Sequence, residues 1–382
     1  MSGTDDGDLE ELRAHLRAFL GKAASEARLR QLLETPAGSD DELWRRATAE
    51  LGLQSMVVAA CSAGPGAGLP LLGMVFEELG RALVCAPFFG TLGLATPALA
   101  AVGGSAAGAV LTRIADDGLR VALAWTGARP SQTALRLRDG RLTGIADVVV
   151  DGSEAQLLLV AARDDKGAVA LCAVPANGDG VHIEALSALD ATRRLSAISF
   201  DSCAVDVVTD GAADGAADGA AGGAARGVAG ELDTALHIAT VLLAAEQLGG
   251  ASRVLADAVD YARERVQFGR RIGSFQAVKH RCADMLVDLE LARSLVRNAL
   301  SAIEDDPSRA PLEAALTAGF VGDVALAAAT ANIQIHGGVG FTWEHSAHLY
   351  LKRAKSSQLL LGRPIEHRRR AAELLGIAGG GR

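Results

Sequence analysis

Thr133–Gly144 reads TALRLRDGRLTG, and its alternation decides the fold class of this chain. Leucines alternate with arginines or polar residues on both sides of Asp139-Gly140, the period-two pattern of a strand with one buried face. Asp139 and Gly140 both tolerate positive φ, so the pair predicts a two-residue hairpin turn. Outward from it, LRVALAW (119–125) reads as a further strand. AQLLLVAARDDKGAVALCAVP (155–175) reads as a second hairpin around Asp164–Gly167, and VHIEAL (181–186) and SAISFDSCAV (196–205) continue the β character. An antiparallel β-domain over residues 117–208 follows.

On either side the period is 3.6. Leu9, Leu12, Leu16, Phe19 and Leu20 form one helical stripe, and further helices are expected over 41–51 and 71–84, separated by the loop CSAGPGAGLP (61–70). These define a helical N-terminal domain, 1–116. After the strands, TDGAADGAADGAAGGAARGVAG (209–230) has too few large side chains to pack and reads as a linker. Asp210, Asp214 and Asp218 recur in it every four residues without an EF-hand pattern. Helices are then expected over 231–265, 276–304, 308–335, 345–360 and 365–375, giving a C-terminal four-helix bundle domain, 231–382. The fold class is α+β, in the order helical, β, helical.

A formal charge of −9 argues against a general nucleic-acid surface. The five cysteines show no CxxC spacing, so neither a disulfide framework nor a metal site is predicted. The opening MSGTDDGDLEEL is acidic and unlike a signal peptide. Residues 82–112 carry no charge, but Pro87, Pro97 and several glycines interrupt them, which predicts buried helices rather than a membrane span. A cytoplasmic protein is expected.

Two stretches carry chemistry. YARERVQFGRRIGSFQAVKH (261–280) gathers Arg263, Arg265, Arg270 and Arg271 around a Phe-Gly break. Guanidinium groups bind phosphate through paired, charge-assisted hydrogen bonds, and cations at a helix end also suit its dipole. ANIQIHGGVGFTWEH (331–345) ends a helix on Gly337, Gly338 and Gly340, which serve equally as a C-cap or as a point of close backbone approach.

In this order, and with PLLGMVFEELGRALVCAP (70–87) before them, these stretches resemble the acyl-CoA dehydrogenase family. IQIHGGVGFTWEHSAHLYLKRAKS (333–356) is similar to a branch common among bacterial fatty-acid and steroid side-chain enzymes. The resemblance implies FAD chemistry: a carboxylate removes the α-proton of an acyl-CoA, the flavin accepts the β-hydride, and hydrogen bonds to the thioester carbonyl acidify the α-carbon. It also implies that Arg265, Gln267, Phe268, Gly269, Gln334, Gly337 and Gly338 hold the nucleotide end of an FAD shared with a neighbouring subunit.

Other family elements are replaced. AWTGARPS (124–131) and VVVDG (148–152) stand where the family holds the flavin ring, with Val148 in place of a stacking Trp and Val150 in place of a Thr hydroxyl. The two places where the family carries its catalytic Glu hold Leu361 and Ala239. The nearest carboxylate is Glu246, about two helical turns or ~10 Å from Ala239. The resemblance aligns neither Glu344 nor His336, His345 and His348 with a thioester.

What is lost belongs to a subunit's own active site, and what is kept serves its neighbour. The resemblance thus implies a non-catalytic subunit of a heteromeric acyl-CoA dehydrogenase. Its expected partners are a related Glu-bearing subunit (an α2β2 heterotetramer), an acyl-CoA of the steroid side-chain type, and an electron-transfer flavoprotein as acceptor, with no metal, nucleic acid or membrane. Two other readings stand beside it: a homo-oligomeric dehydrogenase using an unusual base such as Glu246 or another acid, and an FAD-free acyl-CoA-binding scaffold, against which the intact Arg265 and Gln334 argue.

Overall fold

The TALRLRDGRLTG stretch folds as its alternation predicts. In the computed structural model, which describes residues 6–35, 39–63, 68–209 and 227–377, strands β2 (Arg136–Arg138) and β3 (Arg141–Val150) pair antiparallel. Asp139 (φ 49°) and Gly140 (φ 70°) make the tight turn between them. Around them lie β1 (Val121–Ala124), β4 (Leu157–Arg163), β5 (Val169–Pro175), β6 (Val181–Ala185), β7 (Leu195–Ala204) and β8 (Asp206–Val207). The sheet runs in the order β6-β7-β3-β2-β4-β5-β8, with β1 beside β4. Its pairings are antiparallel except that β4 runs parallel to β1 and, through Arg136 and Arg163, to β2. Leu135, Leu142, Leu158, Val160, Ile198 and Phe200 close its core.

Helices α1 (Asp6–Ala23), α2 (Glu26–Leu33), α3 (Asp41–Leu51), α4 (Leu53–Ser62), α5 (Leu69–Arg81), α6 (Thr96–Val102) and α7 (Gly104–Asp117) precede the sheet. After it come α8 (Val228–Glu264), α9 (Gln276–Asp305), α10 (Ala310–His336), α11 (Ala347–Leu360) and α12 (Pro364–Leu374). The chain is thus helical, then β, then a helical bundle. Most of the expected linker lies outside the described residues, among them Asp210, Asp214 and Asp218. Local chemistry sets several ends: the Asp40 carboxylate accepts the Leu43 amide at 3.1 Å and starts α3, and Gly52 (φ 58°) ends it.

By internal packing the described chain forms two compact units. One comprises Ser39–Gly64 and Ala86–Ala239, and so holds α3, α4, α6, α7 and the sheet. Here the charge-free stretch is broken into a wide π-turn (Phe89–Ala95), α6 and α7, with Pro97 in the first turn of α6 and Gly103 (φ 62°) between the two helices. The π-turn residues are buried, and Asp151 accepts the Gly90 amide at 2.8 Å.

The other unit comprises Met1–Gly38, Pro65–Cys85 and Thr240–Arg382. In it α10 packs on α9, α11 and α12, and α5 packs on α1 and α9. Arg17 on α1 reaches Glu78 on α5 through two hydrogen bonds of 2.6 and 2.8 Å, and Arg13 reaches Glu77 at 2.9 Å. Helices α5 and α8 touch backbone to backbone. A Cβ on Gly80 would lie 1.9 Å from the Glu246 carbonyl oxygen, and one on Gly249 would lie 1.8 Å from that of Glu77. Both glycines are therefore required by the crossing, which also fixes where Glu246 stands. By length and composition α8 and the Pro307–Phe341 stretch could each cross a membrane, but over half of each apolar window is buried within the protein, as in the core helices of a bundle.

Candidate functional site

The basic stretch folds into a small hairpin at the end of α8. Strands β9 (Val266–Gln267) and β10 (Arg270–Arg271) pair across Phe268 (φ 53°) and Gly269 (φ 74°). A phenylalanine in the left-handed region is strained, and Phe268 is also 91% exposed, its one ring contact being edge-on to Phe275 at 6.1 Å among the described residues. Arg263 pairs with Asp260 at 3.8 Å, and Arg270 lies over the Phe275 ring at 4.0 Å. Arg265 is exposed and has no ion pair or side-chain hydrogen bond among the described residues.

The glycine turn lies beside this hairpin. Tyr261, one turn before Arg265, stacks on His336 at 4.3 Å, and Gly337 follows directly. Gly337 (φ 63°) ends α10 and requires glycine conformationally, whereas Gly340 requires it sterically, because a Cβ there would sit 2.9 Å from that of His336. Gly338 meets neither requirement: a Cβ on it would face open space. Gln334 is exposed, its Oε1 accepting from Arg281 on α9, which leaves the amide nitrogen facing outward as a donor. Phe341 and Trp343 next to the turn are 76% and 71% exposed.

Histidines brace the turn from behind. His336 donates through Nδ1 to the Asn332 carbonyl at 2.9 Å, and its ring meets that of His345 at 4.3 Å. His345 Nδ1 accepts the Ala347 amide at 3.1 Å, and His348 meets the Trp343 ring edge-on. Burial, followed by the neighbouring His336, holds the His345 pKa below its usual value; burial and Lys352 do the same for His348. Depressed histidines favour folding only while neutral. Their contribution is complete above the unfolded value of ~6.5 and is lost as pH falls through the lower folded values. Urea midpoints should therefore fall between about pH 7 and 5, and His345→Phe should flatten that slope. An unchanged slope would mean that the pH dependence does not arise from His345.

The two expected base positions hold no acid. Ala239 is fully buried, and Leu361 is a half-buried residue at the end of α11. His367 packs against the Leu361-Gly362 turn, where a Cβ on Gly362 would lie 2.9 Å from its Nε2. Glu246 is 4% exposed and forms an ion pair with Arg353, whose second terminal nitrogen donates to the Val84 carbonyl at 3.0 Å. The cavity beside this pair measures about 20 Å³ and is lined by Gln247, Tyr350 and Ser357 among others. That is room for a single water, which the otherwise unpartnered Gln247 Oε1 could bind. Glu246 thus sits where a helix acid is neutralised, with no space for an acyl chain.

In the sheet unit, Val148 is 51% exposed on a bulged part of β3 and Val150 is buried. In the loop before β2, the Ser131 amide and hydroxyl bind Asp233 at 3.0 and 2.6 Å, and the Thr126 hydroxyl accepts the Ala134 amide at 2.6 Å. The Ser131 hydroxyl is spent on Asp233, whereas the Thr126 oxygen accepts locally and keeps its O–H as a donor. For FAD the fit is therefore one-sided. Arg265, Gln267, Gln334 Nε2 and the unobstructed backbone at Gly338 make a donor set suited to a nucleotide diphosphate, whereas the Gly337 amide already donates to the Ile333 carbonyl. The aliphatic Val148 and Val150 offer a flavin ring no side-chain hydrogen bond.

Residues 230–375 match the family model for the acyl-CoA dehydrogenase C-terminal domain. Over 361 residues the chain is 33% identical to acyl-CoA dehydrogenase IpdE2 of Mycolicibacterium smegmatis, covering 94% of this chain and 96% of that one. The chain belongs to the acyl-CoA dehydrogenase family. IpdE2 of Mycobacterium tuberculosis is 34% identical over 373 residues, 96% of this chain and 97% of that protein. Among solved structures, the Tcur3481-Tcur3483 steroid ACAD superposes with a TM-score of 0.83 at 26% identity, covering 99% of this chain and all of that one. The ChsE4-ChsE5 complex from Mycobacterium tuberculosis gives 0.81 at 25% identity, with 98% and 99% covered. Acyl-CoA dehydrogenases use FAD and are oxidoreductases acting on CH–CH bonds. The partners of Arg281, Arg353 and Asp233 are distant in sequence, so spacing does not reveal them.

Proposed function

We propose that this chain is the non-catalytic subunit of a heteromeric acyl-CoA dehydrogenase and completes, in trans, the FAD site of a related subunit that carries the base. The observation that carries this reading is the split in the site. The phosphate-type donors are exposed and unspent, while the base positions are aliphatic and the nearest acid is locked to Arg353. When bound, FAD accepts the hydride. This chain's own residues would contribute only binding: Arg265 opposite phosphate oxygens, Gln334 Nε2 and the Gly338 backbone against the nucleotide. A steroid side-chain CoA thioester is the proposed substrate class, supported by likeness to a solved steroid ACAD and to the heteromeric ChsE4-ChsE5 complex. An electron-transfer flavoprotein is the proposed acceptor, and the cytoplasm the proposed location.

The roles of the two subunits can be told apart by moving the carboxylate. In the co-expressed complex, replacing the partner's catalytic Glu with Gln should abolish turnover, a loss of at least ~10² given what a general base contributes. Leu361→Glu in this chain, combined with that change, should not restore it, because Val148 and Val150 still hold no flavin ring. Restored turnover would show that this chain retains a working active site.

A further inference from the structure

Four arginines share one face of the sheet. Arg136 and Arg138 are two residues apart on β2, so their side chains leave the same face. Arg138 pairs directly with Arg141 of β3, and Arg136 with Arg163 of β4. Residues opposite one another on adjacent strands hold their Cβ atoms ~5 Å apart, and like charges there are destabilising. The sheet carries two such pairs side by side. The alternate residues Leu137, Leu142 and Ala162 turn to the core, which fixes the register and keeps all four arginines outward.

These arginines line an open groove of about 910 Å³, which Lys166 from the β4–β5 turn joins. Three carboxylates in the groove, Asp139, Asp164 and Asp165, offset part of the charge of its five cations and leave it net positive. Asp165 pairs with Arg138 at 2.8 Å, and Asp164 Oδ1 is taken by the amides of Lys166 and Ala168 in its own turn. Arg141 donates to the Ser202 carbonyl, and Arg163 to those of Gly167 and Ser131, contacts that orient the guanidinium groups without cancelling their charge. Arg136 has no hydrogen bond or ion pair among the described residues, and Asp139 at the turn is the remaining acid in the groove. In a chain of formal charge −9 this is a local reversal of sign.

We infer that this arginine face docks an acidic, carboxylate-rich segment of a protein partner. The groove offers side-chain cations but no glycine nest or helix N-terminus, the backbone devices that grip a compact phosphate. The four guanidinium groups spread over three strands, roughly 10 Å across. Arg136 and Arg138 are ~6.8 Å apart along β2, the interval at which alternate side chains of an extended segment recur. A segment with an acid at every second residue matches that interval, whereas one phosphate reaches only part of the array. Attraction of this kind steers association and weakens with salt.

The test uses the full chain and a fluorescent peptide of alternating Glu and Ala, followed by anisotropy at low ionic strength. The peptide should bind, and the double variant Arg136→Gln/Arg163→Gln should weaken binding by at least about tenfold. The same change of charge at Arg369→Gln/Arg370→Gln on α12 should leave binding intact. Because Arg163 also holds the Gly167 and Ser131 carbonyls, the single variant Arg136→Gln, which breaks no such bond, is melted beside the double variant: it should melt no lower than the parent and still weaken binding, so a loss of binding is not a loss of fold. Equal binding by the groove variant, or an equal loss in the α12 control, would overturn the proposal. So would inorganic triphosphate binding at the groove where the peptide does not.

Discussion

Arg353→Met is expected to destabilise the chain by about 3–5 kcal/mol, because it leaves the Glu246 carboxylate buried without its cation. Thermal melting should register this as a fall on the order of 10 °C. Adding Glu246→Gln should recover much of the loss, since a neutral amide beside a methionine no longer asks for a charge. The same pair bears on chemistry. Were Glu246 a base, Glu246→Gln alone would abolish turnover in the assembled enzyme; as a structural acid it should cost stability while turnover per folded complex is retained. The tight α5–α8 crossing at Gly80 and Gly249 holds the Glu246 backbone in place.

The second large effect is on the cofactor. In the co-expressed complex, Arg265→Ala should weaken FAD retention by roughly 10- to 150-fold, the equivalent of losing charge-assisted hydrogen bonds worth about 1.5–3 kcal/mol. After gel filtration the variant complex should carry visibly less flavin than the parent. Arg263→Ala is the matched control, because Arg263 is already paired with Asp260 and lies two residues away. Equal occupancy in parent and Arg265→Ala complexes would remove Arg265 from the cofactor site.

Much of this architecture was legible from periodicity. The Asp139-Gly140 turn announced β2 and β3, and the long C-terminal helices begin and end within about three residues of their expected bounds, because their apolar stripes and glycine or proline stops are local signals. Two features were not local. The parallel pairing of β4 with β1 and β2 joins segments tens of residues apart and leaves no mark on either strand's alternation. Glu246 and Arg353 are 107 residues apart, so the acid could be located on its helix but its neutralisation could not. Absences were easier to read than partnerships: Leu361 and Ala239 show in the sequence alone that no carboxylate stands there, whereas the Gln334–Arg281 and Ser131–Asp233 bonds needed coordinates. Phe268 lay between the two cases. Its place in a Phe-Gly turn was visible, but its left-handed backbone and near-complete exposure were not.

The central claim is that the flavin site is built by two different chains. The direct measurement is to purify this chain alone and together with its related subunit, then record flavin absorbance and subunit stoichiometry. The account predicts a colourless lone chain, and a complex with equal subunits and half as many flavins as subunits. Flavin bound to the lone chain, with turnover of an acyl-CoA, would contradict it.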